Sequence, residues 1–374
     1  MKRILSAASV ALLLLPLILP QGLTLLGVSQ GPKAVENRLK TPLPPLSLAG
    51  QDFKAFAKQL TTSYGETFPF RDDMIRAANR IKLALFRESP SKNVILGRDG
   101  WLFFNMESAL EDWLGVNLLS REELDAFTAE MKARRDWLAA RGIPMLLVIA
   151  PNKASVYGQF MPPAMHKLSP VTRLDQLGQA MREAGVPFLD LRPALISAGQ
   201  VRRAYWKTDT HWNGWGAFRG SAAIVEALRA RFPGMPPLAD EEYRPLEFET
   251  HGGDLSDMLL LTDTLTERDI EMERLSPTRA HAAGPPGYPN PAMRSGRDMV
   301  VLETGDKSLP KAVFFRDSFS SAAIPFLSQR FQRSVFLWEH TFQPQIIEAE
   351  KPDVVVIEAV ERYLHQPFRP VPLP

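Results

Sequence analysis

The apolar positions of this chain fall into blocks that switch between the period of a helix and that of a strand. Met145 to Ala150 is apolar throughout, the pattern of a strand buried on both faces. Ahead of it, Ser120 with Glu123 three residues on forms a capping box. It predicts a helix to about Arg141, closed by Gly142. A second helix is expected over 171–184 and a strand from Val186 to Leu191. Strand, helix and strand in that order signal a parallel sheet. The C-terminal part repeats the arrangement. Ala312 to Phe315 reads as a strand, Ser320 to Phe331 as a helix and Ser334 to Trp338 as a strand. Gln345 to Glu350 reads as a short helix and Asp353 to Val360 as a β-branched strand. Right-handed crossovers are the default for such units. The expected class is α/β, a parallel sheet flanked by helices.

The remaining segments carry weaker patterns. Phe53, Phe56 and Leu60, then Ile75, Ile81, Leu83 and Leu85, lie at helical spacings. They predict two helices over 51–88, parted at Phe68-Pro69-Phe70-Arg71. Val94 to Phe104 reads as a β-hairpin, because Asp99-Gly100 between apolar runs is a strong turn signal. Residues 33–50 read as a linker. Residues 233–310 have weak periodicity and are expected to form loops and a lid-like insertion. At the start, Lys2 and Arg3 precede a stretch without charge from Ile4 to Pro32. A basic start before an apolar run is an export signal, and a bilayer span needs ~20 mostly apolar residues. Gly27-Val28-Ser29 offers a cleavage site, so a signal anchor and a cleaved signal peptide both fit 1–32. The expected organisation is that segment, then a linker with a helical and hairpin extension over 33–110, then a catalytic domain over 111–374.

Composition narrows the chemistry. The net charge of +2 gives no reason to propose a nucleic-acid partner. The chain has no cysteine, which removes disulfides, thiol catalysis and cysteine-ligated metal. No cofactor is called for.

Two short segments carry candidate chemistry. Ser318 follows a strand and precedes a helix, where ligands bind in open α/β sheets. The same position suits a serine that merely caps the helix. A serine hydroxyl needs a base, and histidine near neutral pH serves when a carboxylate fixes its tautomer. Asp209-Thr210-His211 supplies both groups, two apart on an extended loop. A metal site is the other reading of that pair, though it lacks a clear third ligand. Trp206 and Trp212 flank the loop as an aromatic rim suited to sugar. Asn152 and Lys153 follow a predicted strand and are expected in the same cleft, with the Asn152 amide as an oxyanion donor. Arg316 and His340 also stand at strand ends.

Asp209-Thr210-His211-Trp212, followed about a hundred residues later by Asp317-Ser318-Phe319-Ser320, resembles the alginate O-acetyltransferase family of AlgJ- and AlgX-like proteins. Supporting segments in the same order are Phe68-Pro69-Phe70-Arg71, Gly97 to Phe103, Pro151 to Tyr157, Gly252-Gly253-Asp254-Leu255 and Pro352 to Val356. The resemblance implies an SGNH-hydrolase-like fold of flavodoxin-like type with permuted motif order, since ordinary members carry the serine early. It implies Ser318 as nucleophile, His211 as base and Asp209 as its support. It further implies a periplasmic body on the inner membrane, a polysaccharide acceptor, and a membrane-bound O-acyltransferase that delivers acetyl groups. Only about a dozen residues follow Arg362, so the anchored AlgJ type without a carbohydrate-binding module is expected. A triad esterase and a non-catalytic polysaccharide scaffold are the rival expectations.

Overall fold

A computed structural model describes residues 15, 18–28, 31, 41–44, 52–284, 286–290 and 299–365. Two compact units are present: Met1–Pro90 with Leu259–Leu261, and Ser91–Met258 with Thr262–Pro374.

In the smaller unit, helix α1 (Phe53–Thr67) opens on Asp52, whose side chain accepts the Lys54 N–H. Pro69 forces Phe68 out of the helical region, and Phe70 sits left-handed at φ 56°. Helix α2 (Arg71–Ile81) starts after that break, as the sequence predicts. The anchor expected over 1–32 falls largely outside the described residues. Among those described, no helix is long and apolar enough to cross a membrane.

The larger unit begins with the hairpin β1 (Val94–Leu96) and β2 (Leu102–Phe104), paired antiparallel. Asp99 and Gly100 both take positive φ at its turn. Ile95, Trp101 and Phe103 are buried in this unit's core, so the hairpin packs here. Helices α3 (Ala109–Leu114) and α4 (Arg121–Ala139) follow, α4 with the predicted capping box. Then come β3 (Met145–Ala150), α5 (Lys153–Tyr157), α6 (Arg173–Glu183), β4 (Phe188–Asp190), α7 (Arg192–Val201) and α8 (Gly214–Arg229). A long antiparallel ribbon, β5 (Tyr243–His251) with β6 (Thr266–Arg274), encloses the short α9 (Asp254–Met258). Short strands β7 (His281–Ala282) and β8 (Val300–Glu303) precede β9 (Lys311–Phe315) and α10 (Phe319–Leu327). The chain continues through β10 (Arg333–Leu337), α11 (Pro344–Glu350) and β11 (Val354–Val360).

Seven strands form the central sheet in the order β4-β3-β11-β9-β10-β8-β7. The first five are parallel, but β8 pairs antiparallel with β10 and β7 pairs antiparallel with β8. The fully parallel sheet expected from the sequence is therefore corrected to a mixed one. The two extra strands come from the segment expected to be loops. That segment also yields the ribbon, whose apolar alternations, Leu246 with Phe248 and Ile270 with Met272, are too short to read as strands.

The central strands are apolar because both faces are covered. Leu146, Val148 and Ala150 of β3 enter one core cluster, and Met145, Leu147 and Ile149 enter the other. Each such side chain contributes roughly 1.5–3 kcal/mol when withdrawn from water. The rigid frame this builds ends, at its carboxyl edge, in three neighbouring turns after β3, β9 and β11.

Candidate active site

Ser318 follows β9 and stands at the N-cap of α10, yet its side chain makes no capping bond. Asp317 does that work instead. One carboxylate oxygen accepts the Phe319 N–H at 2.9 Å, and the other accepts the Val360 N–H at 2.7 Å. The turn is thus pinned to the end of β11, and the Ser318 hydroxyl is left to point elsewhere. It meets His211 Nε2 at 2.8 Å. The helix-cap reading of Ser318 fails for this reason. Behind the turn, Glu358 accepts bonds from Ser320 Oγ at 2.6 Å and the Asp317 N–H at 3.3 Å. Burial, reinforced by the Asp317 charge, raises the Glu358 carboxyl well above its ordinary range. A neutral Glu358 spares the turn a second buried negative charge.

His211 lies on a narrow loop closed by the Tyr205–Trp212 bridge. Its Nδ1 is 2.7 Å from Asp209 Oδ1, and its backbone N–H reaches the same oxygen at 2.9 Å. Burial pushes the Asp209 carboxyl up. The hydrogen bond and charge of His211, with N–H groups of Asp254 and His211, outweigh it and hold the carboxyl at about 2. An ionised Asp209 accepts the Nδ1 proton, so Nε2 offers its lone pair to the serine.

Asp254 is the residue the sequence reading missed. Its N–H donates to Asp209 Oδ2 at 2.9 Å, while its carboxylate takes the Thr210 N–H at 2.7 Å and bonds Thr210 Oγ1 at 2.5 Å. Its Oδ2 lies 3.7 Å from His211 Nδ1. Burial and the Asp209 charge raise its carboxyl. Gly253 beside it allows this approach, since a Cβ there would lie 2.3 Å from Asp209 Oδ2. The signal was Gly252-Gly253-Asp254, visible as a turn but not as a brace. Asp254 also supplies the third group that the metal reading lacked, and ligand-type atoms of Asp209, His211 and Asp254 lie within 4.8 Å of one another. The geometry is still that of a proton relay: Nδ1 is bonded to Asp209, Nε2 to Ser318, and the Asp254 oxygens to Thr210.

The remaining sequence candidates divide. Asn152 follows β3, its N–H bonded at 2.8 Å to the buried Glu361. Its amide nitrogen is buried without a hydrogen-bond partner. Asn152, Thr210 and Arg362 line one cavity of about 20 Å³ beside the triad. Lys153 lines the same small cavity, but its ammonium points into the histidine loop. It is 4% exposed, and its Nζ donates to the carbonyls of Trp206, Lys207 and Asp209 at 3.1, 2.9 and 2.6 Å. Burial lowers its pKa to about 7, against the opposing charges of Asp209, Asp254 and Glu267. Three carbonyl acceptors match the three protons of the ammonium form. Trp212 is 1% exposed, and its indole N–H donates to the Phe319 carbonyl at 2.9 Å. It ties the histidine loop to the serine helix and leaves little of its ring exposed. Arg316 is buried too, bonded to the Asp317 carbonyl and Ser321 Oγ, with its guanidinium 4.4 Å from the Trp338 ring centre. His340 gives Nε2 to the Glu358 carbonyl at 3.1 Å. Both brace the nucleophile turn from behind, because strand ends here point inward as often as into the cleft.

Comparison with known proteins fits this geometry. The family model for the SGNH hydrolase-like domain of the acetyltransferase AlgX matches residues 94–344. A protein named probable alginate O-acetylase AlgJ from Pseudomonas putida is 30% identical over 176 residues, 46% of this chain and 43% of that one. Its namesake from Pseudomonas aeruginosa is 27% identical over 270 residues, 69% of this chain and 63% of that one. The chain thus spans less than two thirds of the length of these relatives. The structure of Bacillus cereus PatB1 superimposes with a TM-score of 0.54 at 16% identity, covering 74% of this chain and 99% of PatB1. That likeness concerns the fold.

Proposed function

This chain belongs to the family of the SGNH hydrolase-like acetyltransferase domain of AlgX, and from that premise we propose that it is an O-acetyltransferase acting on hydroxyls of an exported polysaccharide. The observation that carries the reading is the two-sided bonding of His211, to Asp209 at 2.7 Å and Ser318 at 2.8 Å.

In this reading His211 Nε2 takes the Ser318 proton as Oγ attacks an acetyl carbonyl. The tetrahedral oxyanion is met by the Ser318 N–H and the unpartnered Asn152 amide. The leaving group departs with the proton from His211, and acetyl-Ser318 remains. A sugar hydroxyl then gives its proton to Nε2 and attacks the ester carbonyl. Collapse breaks the bond to Ser318 Oγ, which recovers the proton. Asp209 stays ionised throughout and stabilises the imidazolium. The AlgJ names of the relatives favour alginate as acceptor. The basic start and the uncharged stretch over 4–32 favour a periplasmic body anchored to the inner membrane. Acetyl-CoA is cytoplasmic, so a membrane-bound O-acyltransferase is the proposed source of the acetyl group.

The test supplies an acetyl ester and excess alginate oligosaccharide to the purified protein. Acetylated sugar is expected, and Ser318→Ala should reduce it by about 10³-fold or more. Free acetate alone would make the protein an esterase. Unchanged acetylation with Ser318→Ala would remove Ser318 from the chemistry, and neither product from the wild-type protein would leave the scaffold reading.

A further inference from the structure

A groove that the mechanism above does not use begins about one helical turn beyond Ser318. Ala322 and Pro325 of α10 form one wall. They follow Ser318 at four and seven residues, so all three share one side of the helix. At 1.5 Å per residue, Pro325 stands about 10 Å beyond the nucleophile. The β5–β6 ribbon forms the facing wall through Phe248 and Ile270. Gly214 permits the ribbon to come this near, since a Cβ there would lie 2.8 Å from the Ile270 carbonyl oxygen. Trp206 also lines the groove. Its N–H donates to the His211 carbonyl at 3.3 Å, and its ring meets Phe248 edge to face at 5.8 Å. The groove encloses about 490 Å³. A larger cavity of about 650 Å³ exists, but Pro144 and Asp353 among its lining residues place it at the opposite ends of the strands.

Resting on the acetyl-transfer reading, we propose that this groove is the acceptor subsite, in which a glycan chain lies with its sugar faces against Trp206 and Phe248. Sugar rings present apolar C–H faces and polar edges. The groove has the matching form: half-buried aromatic rings within, and Glu271, Arg274 and Thr278 among the lining. Its size suits an extended ligand. Ala322 and Pro325 share a helix side with Ser318, so a glycan lying along that side brings a sugar hydroxyl towards the acetyl ester. A water acceptor would need none of this.

Binding of alginate oligosaccharides to the full chain carrying Ser318→Ala tests the proposal by calorimetry, with cello-oligosaccharides as an uncharged comparison. Adding Phe248→Ala should weaken binding by about tenfold, as expected for one anchoring aromatic. Phe248→Tyr should restore it. Ala322→Trp, which fills the groove, should abolish it. Equal binding by the Phe248→Ala and Ala322→Trp variants, or no binding of either sugar to the Ser318→Ala protein, would overturn the proposal. Turnover of a small acetyl ester by the wild-type enzyme, followed in parallel, reports on the serine reading alone, so the two failures are distinguishable.

Discussion

Asp209 carries a charge that burial opposes, and this makes it a sensitive reporter of the site. Its carboxyl is held at about 2 against an ordinary 3.8. Because the folded value is the lower, the ionised carboxylate stabilises the fold above about pH 4, and that contribution drains away as pH falls through about 2. At neutral pH, Asp209→Asn should be less stable by on the order of 2 kcal/mol, with the gap closing towards acid. Chemical denaturation across that range checks this, and a gap independent of pH would contradict it. At this scale the triad was legible because its chemistry is partly local: aspartate and histidine two apart, and a serine at a strand end. Asp254 and Asp317 were not. Each carboxylate accepts backbone N–H groups, and the partners Thr210 and Val360 lie far off in the chain.

Elements were legible where their ends are written in side chains. Ser120 with Glu123 forms a capping box, and the helix starts where that box places it. The β5–β6 ribbon has no such marks and only short apolar alternations, Leu246 with Phe248 and Ile270 with Met272, and so passed for loop. The loop over 204–213 is instead held from beneath by Lys153, a residue type that is rarely buried. Lys153→Met would fill similar space but leave three carbonyls without their donor. The variant should lose about 3 kcal/mol of stability and roughly ten- to a hundredfold in kcat, through a displaced His211. Thermal unfolding and ester turnover measure the two effects. Unchanged values in both would mean that Lys153 does not support the loop.

Across the whole molecule, the alternation of strands with helices was enough to read the α/β class and the parallel centre of the sheet. The antiparallel edge was hidden, because β7 and β8 are short and lie in the weakly patterned segment. What the fold contributes to chemistry is convergence. Strands β3, β11 and β9 lie side by side, so turns at residues 152, 361 and 318 meet at one edge. The central claim is that Ser318 there becomes an acetyl ester. Brief incubation with an acetyl ester, followed by rapid acid quenching and peptide mass spectrometry, tests it directly. The account predicts one added acetyl group on Ser318 and none in the His211→Ala protein. An acetyl group found on another residue, or turnover with Ser318 never modified, would contradict it.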